Sequence, residues 1–357
     1  MNKIVVGILC GGRSSEHEIS CISAGGILAA IDRDLYEPVL IGITKTAGRW
    51  VLIPEEYPLS IVDGLLPTVP ENGVKVNTDI SGFSADGKPL HIDLIFPMLH
   101  GPYGEDGTIQ GFCEIANIPY VGSGVLASAA ARDKSFTKTV FSAHGMRVAE
   151  GTVITIEQWR ENRAACEALL SGLSYPLFVK PARGGSSRGT TKVKTSPALA
   201  AAIDEAHRYD RKAMIEESVH GREIECAVLE VDGEVRTSLP GEIFIDERFE
   251  FYDFQAKYLD DATYCTVPAE VPVEGLKEIQ RLAALAFSVL GCSGLARVDF
   301  FYRPDGQVVI NELNTMPGFT PTSVFPTLWA ERGVTYSQII HELIKGALTR
   351  KNGVLGN

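Results

Sequence analysis

Two apolar runs near the end of the chain, residues 295–303 and 308–314, flank Pro304-Asp305-Gly306, a turn sequence that makes them a β-hairpin. Their polar residues fall at alternate positions. With a four-residue connection from Pro304 to Gln307, Asp299 lies opposite Glu312 and Arg297 opposite Asn314, and period-two alternation puts all four on one face. Two carboxylates and an amide then converge. Carboxylates this close repel unless a cation lies between them, and hard oxygen donors of this kind suit Mg²⁺ bound together with substrate phosphates. The other reading is a solvated hairpin face bridged by Arg297.

The rest of the chain alternates strands and helices. Residues 4–10, a helix over 15–31 and residues 38–43 read as β-α-β with a parallel sheet, so the fold class is α/β. Ser15 and Glu18 form an S-x-x-E capping box that would start the first helix, which accounts for Glu18 but not for Glu16. After a polar excursion over 54–90 comes a second unit: strand 92–99, loop 100–106, a helix to 117 and residues 120–121. Strands with Gly-rich connections follow. Residues 175–180 and 190–194 form a hairpin around the loop 181–189, and 213–217 with 224–231 reads as another strand pair. Asp232-Gly233 is a turn before 234–238, the loop 246–263 is polar and aromatic, and a helix spans 274–290.

Composition narrows the function classes. With 33 Lys and Arg against 45 Asp and Glu the formal net charge is −12, which argues against nucleic acid or anionic lipid as a partner, so any basic site is local. No apolar stretch approaches the roughly 20 residues of a membrane span, and residues 4–10 lack the pattern of a secretory signal. Seven scattered cysteines without a C-x-x-C pair suit a reducing, cytoplasmic compartment better than a disulfide framework.

Three glycine patterns compete as phosphate sites. Gly7 to Gly12 follows the first strand but lacks the third glycine of a dinucleotide fingerprint, and no acidic residue ends the second strand, which weakens a Rossmann-type oxidoreductase. Gly82 to Lys88 nearly spells a P-loop, but Pro89 replaces the Ser/Thr that would hold magnesium. Lys180 to Gly189 remains: a lysine ends a strand, and small residues let a hairpin tip bring backbone N–H groups against an anion.

These residues, in this order, resemble the D-alanine:D-alanine ligases of the ATP-grasp superfamily. The resemblance rests on Gly11-Gly12, Ser15-Glu16-His17-Glu18, HGPYGEDG at 100–107, Asp133-Lys134, 180–189, Lys257-Tyr258, Arg297-Val298-Asp299 and NELNTMPG at 311–318, and it spans residues 5 to 345. It implies an ATP-grasp fold of three parts: a Rossmann-like substrate domain over 1–130, a central domain over 131–222, and a C-terminal domain over 223–357 with the metal and catalytic residues. It also implies a homodimer that joins two D-alanines with ATP and two Mg²⁺ or Mn²⁺ ions, through an acyl phosphate, for peptidoglycan synthesis.

Residue by residue, the resemblance assigns Lys134, Lys180 and Lys257 to the phosphates, and Asp299, Glu312 and Asn314 to the metal ions. Ser186 and Asn311 join the ATP site, with Glu216 and Glu223 near adenine and ribose. Glu16 receives the ammonium of the first D-alanine, bonded to Ser186 and Tyr258, and His100 lies nearby. Arg297 and the backbone N–H of Gly318 form an oxyanion hole, and Ser323 binds the second carboxylate. Tyrosine at 258 resembles the D-alanine-using branch rather than the D-lactate-using one. Arg188 replaces a small apolar residue of the family and either adds a phosphate contact or points into solvent, while Gly184 makes the tip more flexible. Lys138 and Lys192 read as surface lysines whose stems lie along the protein.

Overall fold

Residues 4–11 are almost wholly apolar because the strand they form is covered on both faces. A computed structural model, which describes residues 3–245 and 263–350, places β1 (Ile4–Gly11), helix α1 (His17–Ala30) and β2 (Tyr36–Ile43) as a β-α-β unit, Val6 pairing with Pro38 and Leu9 with Ile41. Four short antiparallel strands follow, β3 (Trp50–Leu52), β4 (Val74–Asp79), β5 (Gly82–Ala85) and β6 (Lys88–Leu90), before β7 (Leu94–Pro97) lies parallel to β1 on its other side. The order is β6-β5-β4-β3-β2-β1-β7. The expected parallel sheet is therefore only the β2-β1-β7 end of this one, and much of the expected excursion over 54–90 forms its antiparallel other end. In β4 only Val76 is buried, so no apolar alternation marks it. The P-loop-like run is the β5–β6 hairpin, with Asp86 (φ 49°) and Gly87 (φ 73°) as its left-handed turn.

Helices α2 (Thr108–Ile115), α3 (Val125–Arg132) and α4 (Lys134–Ala143) lead into a second sheet. It is built from β8 (Gly151–Thr155), α5 (Ile156–Glu161), α6 (Arg163–Leu170), β9 (Leu177–Pro181), β10 (Thr191–Val193), α7 (Leu199–Ala206) and β11 (Lys212–Glu217). Its strands are antiparallel in the order β10-β9-β11-β8, and Trp159, Leu170 and Ile203 of the helices share a core with Val179 and Ile215.

The third sheet holds β12 (Arg222–Val231), β13 (Glu234–Thr237), β14 (Gly241–Ile245) and β15 (Thr263–Thr266), then, after helix α8 (Val273–Val289), β16 (Leu295–Tyr302) and β17 (Val308–Asn314). All its pairings are antiparallel. The expected pairing of 213–217 with 224–231 does not form: β11 pairs with β8 and β9, whereas β12 pairs with β13, β14 and β16. Adjacency along the chain here marks a crossing between sheets. The helix α8 buries Ile279, Leu282, Ala283, Ala286 and Phe287, a spacing that lines one helical face, against Val298, Phe300 and Ile310.

The opposite face of β12 and β16 changes character along its length. Ala227, Leu229 and Leu295 join a core shared with β1, β7 and the last helices, α9 (Val324–Ala330) and α10 (Tyr336–Thr349). Beyond them, on alternate positions, come Glu225, Arg297 and Asp299. The segment from Phe319 through α10 thus packs back on the first sheet: Phe319 sits with its ring centroid 5.9 Å from those of Phe96 and Phe325 and 5.2 Å from that of Tyr336. All seven cysteines are free thiols, six of them buried. Among the described residues no helix is long and apolar enough to cross a membrane.

Phe319 is fully buried at this junction. Phe319→Ala should cost about 3–5 kcal/mol of unfolding free energy, through lost transfer and a residual cavity. Urea unfolding measures it, and a loss below about 1 kcal/mol would contradict a close-packed junction.

Candidate active site

The last hairpin brings its acids together by a different route from the simplest one. Tyr302 pairs with Val308, so the connection is one residue longer than expected, and a bulge that leaves Asn311 unpaired between Ile310 and Glu312 restores the register. Asp299 therefore does face Glu312, and Arg297 faces Asn314. Arg297 grips Asp299 with both ends of its fork (Nε to Oδ1 2.8 Å, Nη2 to Oδ2 2.7 Å) and lies 2.9 Å from Glu225 Oε2. Asn314 Nδ2 donates to Asp299 Oδ2 (3.2 Å), and Lys134 Nζ lies 3.3 Å from Glu312 Oε2. Three carboxylates are thus held together by two cations.

Lys134 begins α4, whose N-terminus is capped by Asp133 accepting from Ser135 N (3.1 Å) and Phe136 N (3.2 Å). Its ammonium donates to Gly184 O (2.7 Å), which ties the helix to the β9–β10 tip. At that tip Ser186 and Ser187 are left-handed, with φ of 48° and 55°, a conformation serine resists by about 1 kcal/mol or more. The twist lets Ser186 Oγ donate to Glu16 Oε1 (2.7 Å). Arg188 turns away, its guanidinium 5.7 Å from the Tyr209 ring centroid, so it neither meets the cavity nor simply enters solvent.

Glu16 stands at the first turn of α1, but the expected capping box does not form. The helix starts at His17, Glu16 N donates to Ser14 Oγ (3.1 Å), and Glu18 pairs with Lys45 (2.6 Å). Close by, Gly101 adopts φ 79°; a Cβ there would come 2.7 Å from Ser14 Oγ and 3.0 Å from Glu16 Oε2, so glycine is required on both counts. His100 bridges three elements, with Nε2 3.4 Å from Ser23 Oγ of α1 and Nδ1 3.2 Å from Met316 O. A carbonyl can only accept, so Nδ1 carries the proton. Burial lowers the pKa of this histidine, with Glu16 opposing, and keeps the ring neutral.

Several site residues escaped the sequence reading. Glu105 Oε2 accepts from Gly101 N (2.7 Å) and lies 3.6 Å from Arg132 Nη1. Burial raises Glu105 to about 7, with Arg132 opposing and Glu16 adding to the rise. Its position inside the 100–107 motif was the available signal. Lys138, expected at the surface, is buried and ion-paired with Glu216, whose other oxygen lies 2.7 Å from Lys180 Nζ. Burial alone would raise Glu216; the two ammoniums hold it down at about 2. Lys192 is half-buried, its ammonium 5.7 Å from the Phe178 ring centroid, and lines the cavity.

One cavity of about 650 Å³ collects most of the expected residues. Its wall includes Glu16, His100, Lys134, Lys180, Ser186 and Glu216 and, from the third sheet and the segment after it, Glu223, Arg297, Asp299, Asn311, Glu312, Asn314 and Gly318. Ser323 is absent from that wall; it precedes α9, and its hydroxyl is 2.7 Å from Thr320 Oγ1 and accepts from Thr320 N (3.0 Å). Lys257 and Tyr258 lie outside the described residues. Among the described residues no group of three or more His, Cys, Asp and Glu side chains is arranged to hold a metal ion. The expected set differs in kind, two cross-strand carboxylates and an amide, and these hard donors with Glu225 beside them fit Mg²⁺.

Lysines offered by a central antiparallel sheet, facing acids from the last one across a shared cavity beside a β-α-β unit, define an ATP-grasp enzyme. The family models described as D-ala D-ala ligase N-terminus and D-ala D-ala ligase C-terminus match residues 5–123 and 140–345. The chain belongs to the D-ala D-ala ligase family. It is 48% identical to the D-alanine--D-alanine ligase of Pseudarthrobacter chlorophenolicus, over 98% of this chain and 95% of the relative. Among solved structures it is similar to the D-alanine-D-alanine ligase from Coxiella burnetii (TM-score 0.84, 34% identity, 98% of this chain and 95% of that one). It is also similar to the VanG D-Ala:D-Ser ligase from Enterococcus faecalis (TM-score 0.85, 35% identity, 97% and 100%).

Glu105 yields a pH prediction. Its pKa rises from 4.5 to about 7 on folding, so the native state binds the extra proton and the stability this group confers is lost as pH rises through that window. Glu105→Gln keeps the Gly101 bond without the charge. The variant should therefore gain on the wild type by on the order of 1–3 kcal/mol between about pH 5 and about pH 8 in urea unfolding. A pH-independent difference would contradict this.

Proposed function

We propose that this chain joins two D-alanine molecules into D-alanyl-D-alanine at the expense of ATP, supplying a peptidoglycan precursor. The observation that carries the reading is the Ser186–Glu16 hydrogen bond, which links the hairpin tip to the first helix across the same cavity that Lys134, Lys180, Asp299 and Glu312 line. Substrate and phosphate sites then share one cavity, so that closure over it would shield a water-sensitive intermediate.

In this reading Glu16, beside the N-terminus of α1, takes the ammonium of the first D-alanine. Lys134, Lys180 and Lys257 neutralise the phosphates, where catalysis is chiefly positioning and charge compensation. The D-alanine carboxylate attacks the γ-phosphorus, the bond to ADP breaks and an acyl phosphate forms. The amine of the second D-alanine attacks its carbonyl carbon, and the tetrahedral species collapses by expelling phosphate. Arg297 and the Gly318 N–H stabilise the developing oxyanion. Asp299, Glu312 and Asn314 would hold Mg²⁺ or Mn²⁺, which supplies charge neutralisation at the phosphates. For that role Arg297 releases its fork on Asp299 and Lys134 its hold on Glu312. Glu216 and Glu223 serve the adenine and ribose end, Asn311 completes that wall, and Ser323 receives the second carboxylate once Thr320 yields its hydroxyl.

Tyr258 completes the link among Glu16, Ser186 and the segment that carries Lys257, and it favours D-alanine over D-lactate as second substrate. A homodimer, a cytoplasmic location and two bound ions belong to the same proposal. The dinucleotide-oxidoreductase alternative has no support in the incomplete Gly7–Gly12 pattern.

Phosphate release by the purified chain should require ATP, Mg²⁺ and D-alanine together, with L-alanine inactive and dipeptide formed one for one with phosphate. Release without D-alanine, or equal use of L-alanine, would overturn the assignment. Tyr258→Phe should push the phosphate-to-dipeptide ratio above one by letting water reach the acyl phosphate, and an unchanged ratio would remove the proposed role of that hydroxyl.

A further inference from the structure

The buried lysine that sequence reasoning left at the surface has a task of its own. Lys138 reaches Glu216 from the interior of α4, and Lys180 reaches the other carboxylate oxygen from β9, at 2.7 Å. The two lysines differ in what they can touch. Lys180 and Glu216 line the cavity, whereas Lys138 is 6% exposed and stays behind the wall. An anion entering the cavity can therefore draw Lys180 but cannot draw Lys138.

We propose that Lys138 is a positioning residue that stays on Glu216 as its resident counter-ion, so that Lys180 can leave that carboxylate for the nucleotide's phosphates. The inference rests on reading the cavity as the ATP site. As the side chains stand, one buried carboxylate holds two ammoniums, and one can depart without leaving the carboxylate unpaired. Without Lys138, departure of Lys180 would strand a buried carboxylate in a low-dielectric wall, a severe penalty. Lys180 would then stay on Glu216, and the nucleotide would lose a phosphate contact while its adenosine end remained served. The surrounding charges fit the same account. Lys134, the other described lysine assigned to the phosphates, is held by Glu312, an acid that has its own proposed new partner in the metal. Each of the two described phosphate lysines thus has a holding carboxylate, and each of those carboxylates a second cation to keep it company when the lysine leaves.

The test separates phosphate binding from general damage by comparing ADP with adenosine, both titrated calorimetrically into the full chain with Mg²⁺. Lys138→Met should cut the preference for ADP over adenosine about tenfold, with adenosine affinity within about twofold of wild type. Equal losses for both ligands, as a merely structural role would give, overturn the inference, and so does an unchanged preference. Lys180→Met should cost the wild type most of its ADP preference yet cost Lys138→Met no more than about twofold further; additive losses overturn it as well. If Lys138→Met does not fold, Glu216→Gln decides alone: releasing Lys180 should raise the ADP preference, and a preference that stays level or falls contradicts the proposal. Wild-type chain that does not favour ADP over adenosine removes the nucleotide reading and this inference together, whereas a wild-type preference retained in Lys138→Met removes the inference only.

Discussion

Carboxylates crowded at one end of an antiparallel sheet, and the cations that hold them there, are the constraint on which this structure depends. Glu225, Asp299 and Glu312 stand on neighbouring strands, and alone they would repel strongly in a half-buried wall. Arg297 and Lys134 hold them together, and Lys138 with Lys180 does the same for Glu216 on the adjoining sheet. Buried ion pairs of this kind contribute little net stability, because desolvation offsets most of the attraction. In the proposed reading their value lies elsewhere: each pair is a charge already removed from water that can exchange its partner for a phosphate or a metal ion.

In that reading the fold meets the acids of the third sheet with lysines from outside it. The acids ride on β12, β16 and β17, anchored from behind by α8, while Lys134 and Lys180 come from α4 and β9. The first sheet contributes Glu16 and the 100–107 loop, and it is tied to the C-terminal segment by Phe319 and by the His100–Met316 hydrogen bond. The tip of the β9–β10 hairpin reaches it through Ser186 at the cost of two left-handed serines. Backbone strain at this cavity-lining tip marks a segment whose contacts outweigh its local stability.

Much of this was legible in the residues. Hairpins announced themselves through Pro304-Asp305-Gly306 and Asp232-Gly233, and α8 through its apolar spacing. The facing of Asp299 and Glu312 followed from period-two alternation, although a longer turn and a bulge at Asn311 cancel to produce it, which no periodicity argument reveals. Missed elements share a physical cause. The strands β4 to β6 bury too little to show alternation, and β11 and β12 are neighbours in sequence but partners of different sheets, a choice made by tertiary packing. Lys138 and Glu105 were missed because burial of a charged side chain depends on partners far along the chain, Glu216 in one case and Arg132 in the other. The capping box failed for a local reason, since Ser14 and Lys45 claim Glu16 N and Glu18.

Partner exchange is the central claim, and a crystal structure of the chain with a non-hydrolysable ATP analogue and Mg²⁺ tests it most directly. The Lys134–Glu312 and Lys180–Glu216 separations, now 3.3 Å and 2.7 Å, should open beyond about 4 Å. Both ammoniums should then lie within about 3 Å of phosphate oxygens. Nucleotide bound with both pairs intact, or lodged away from this cavity, would contradict the account.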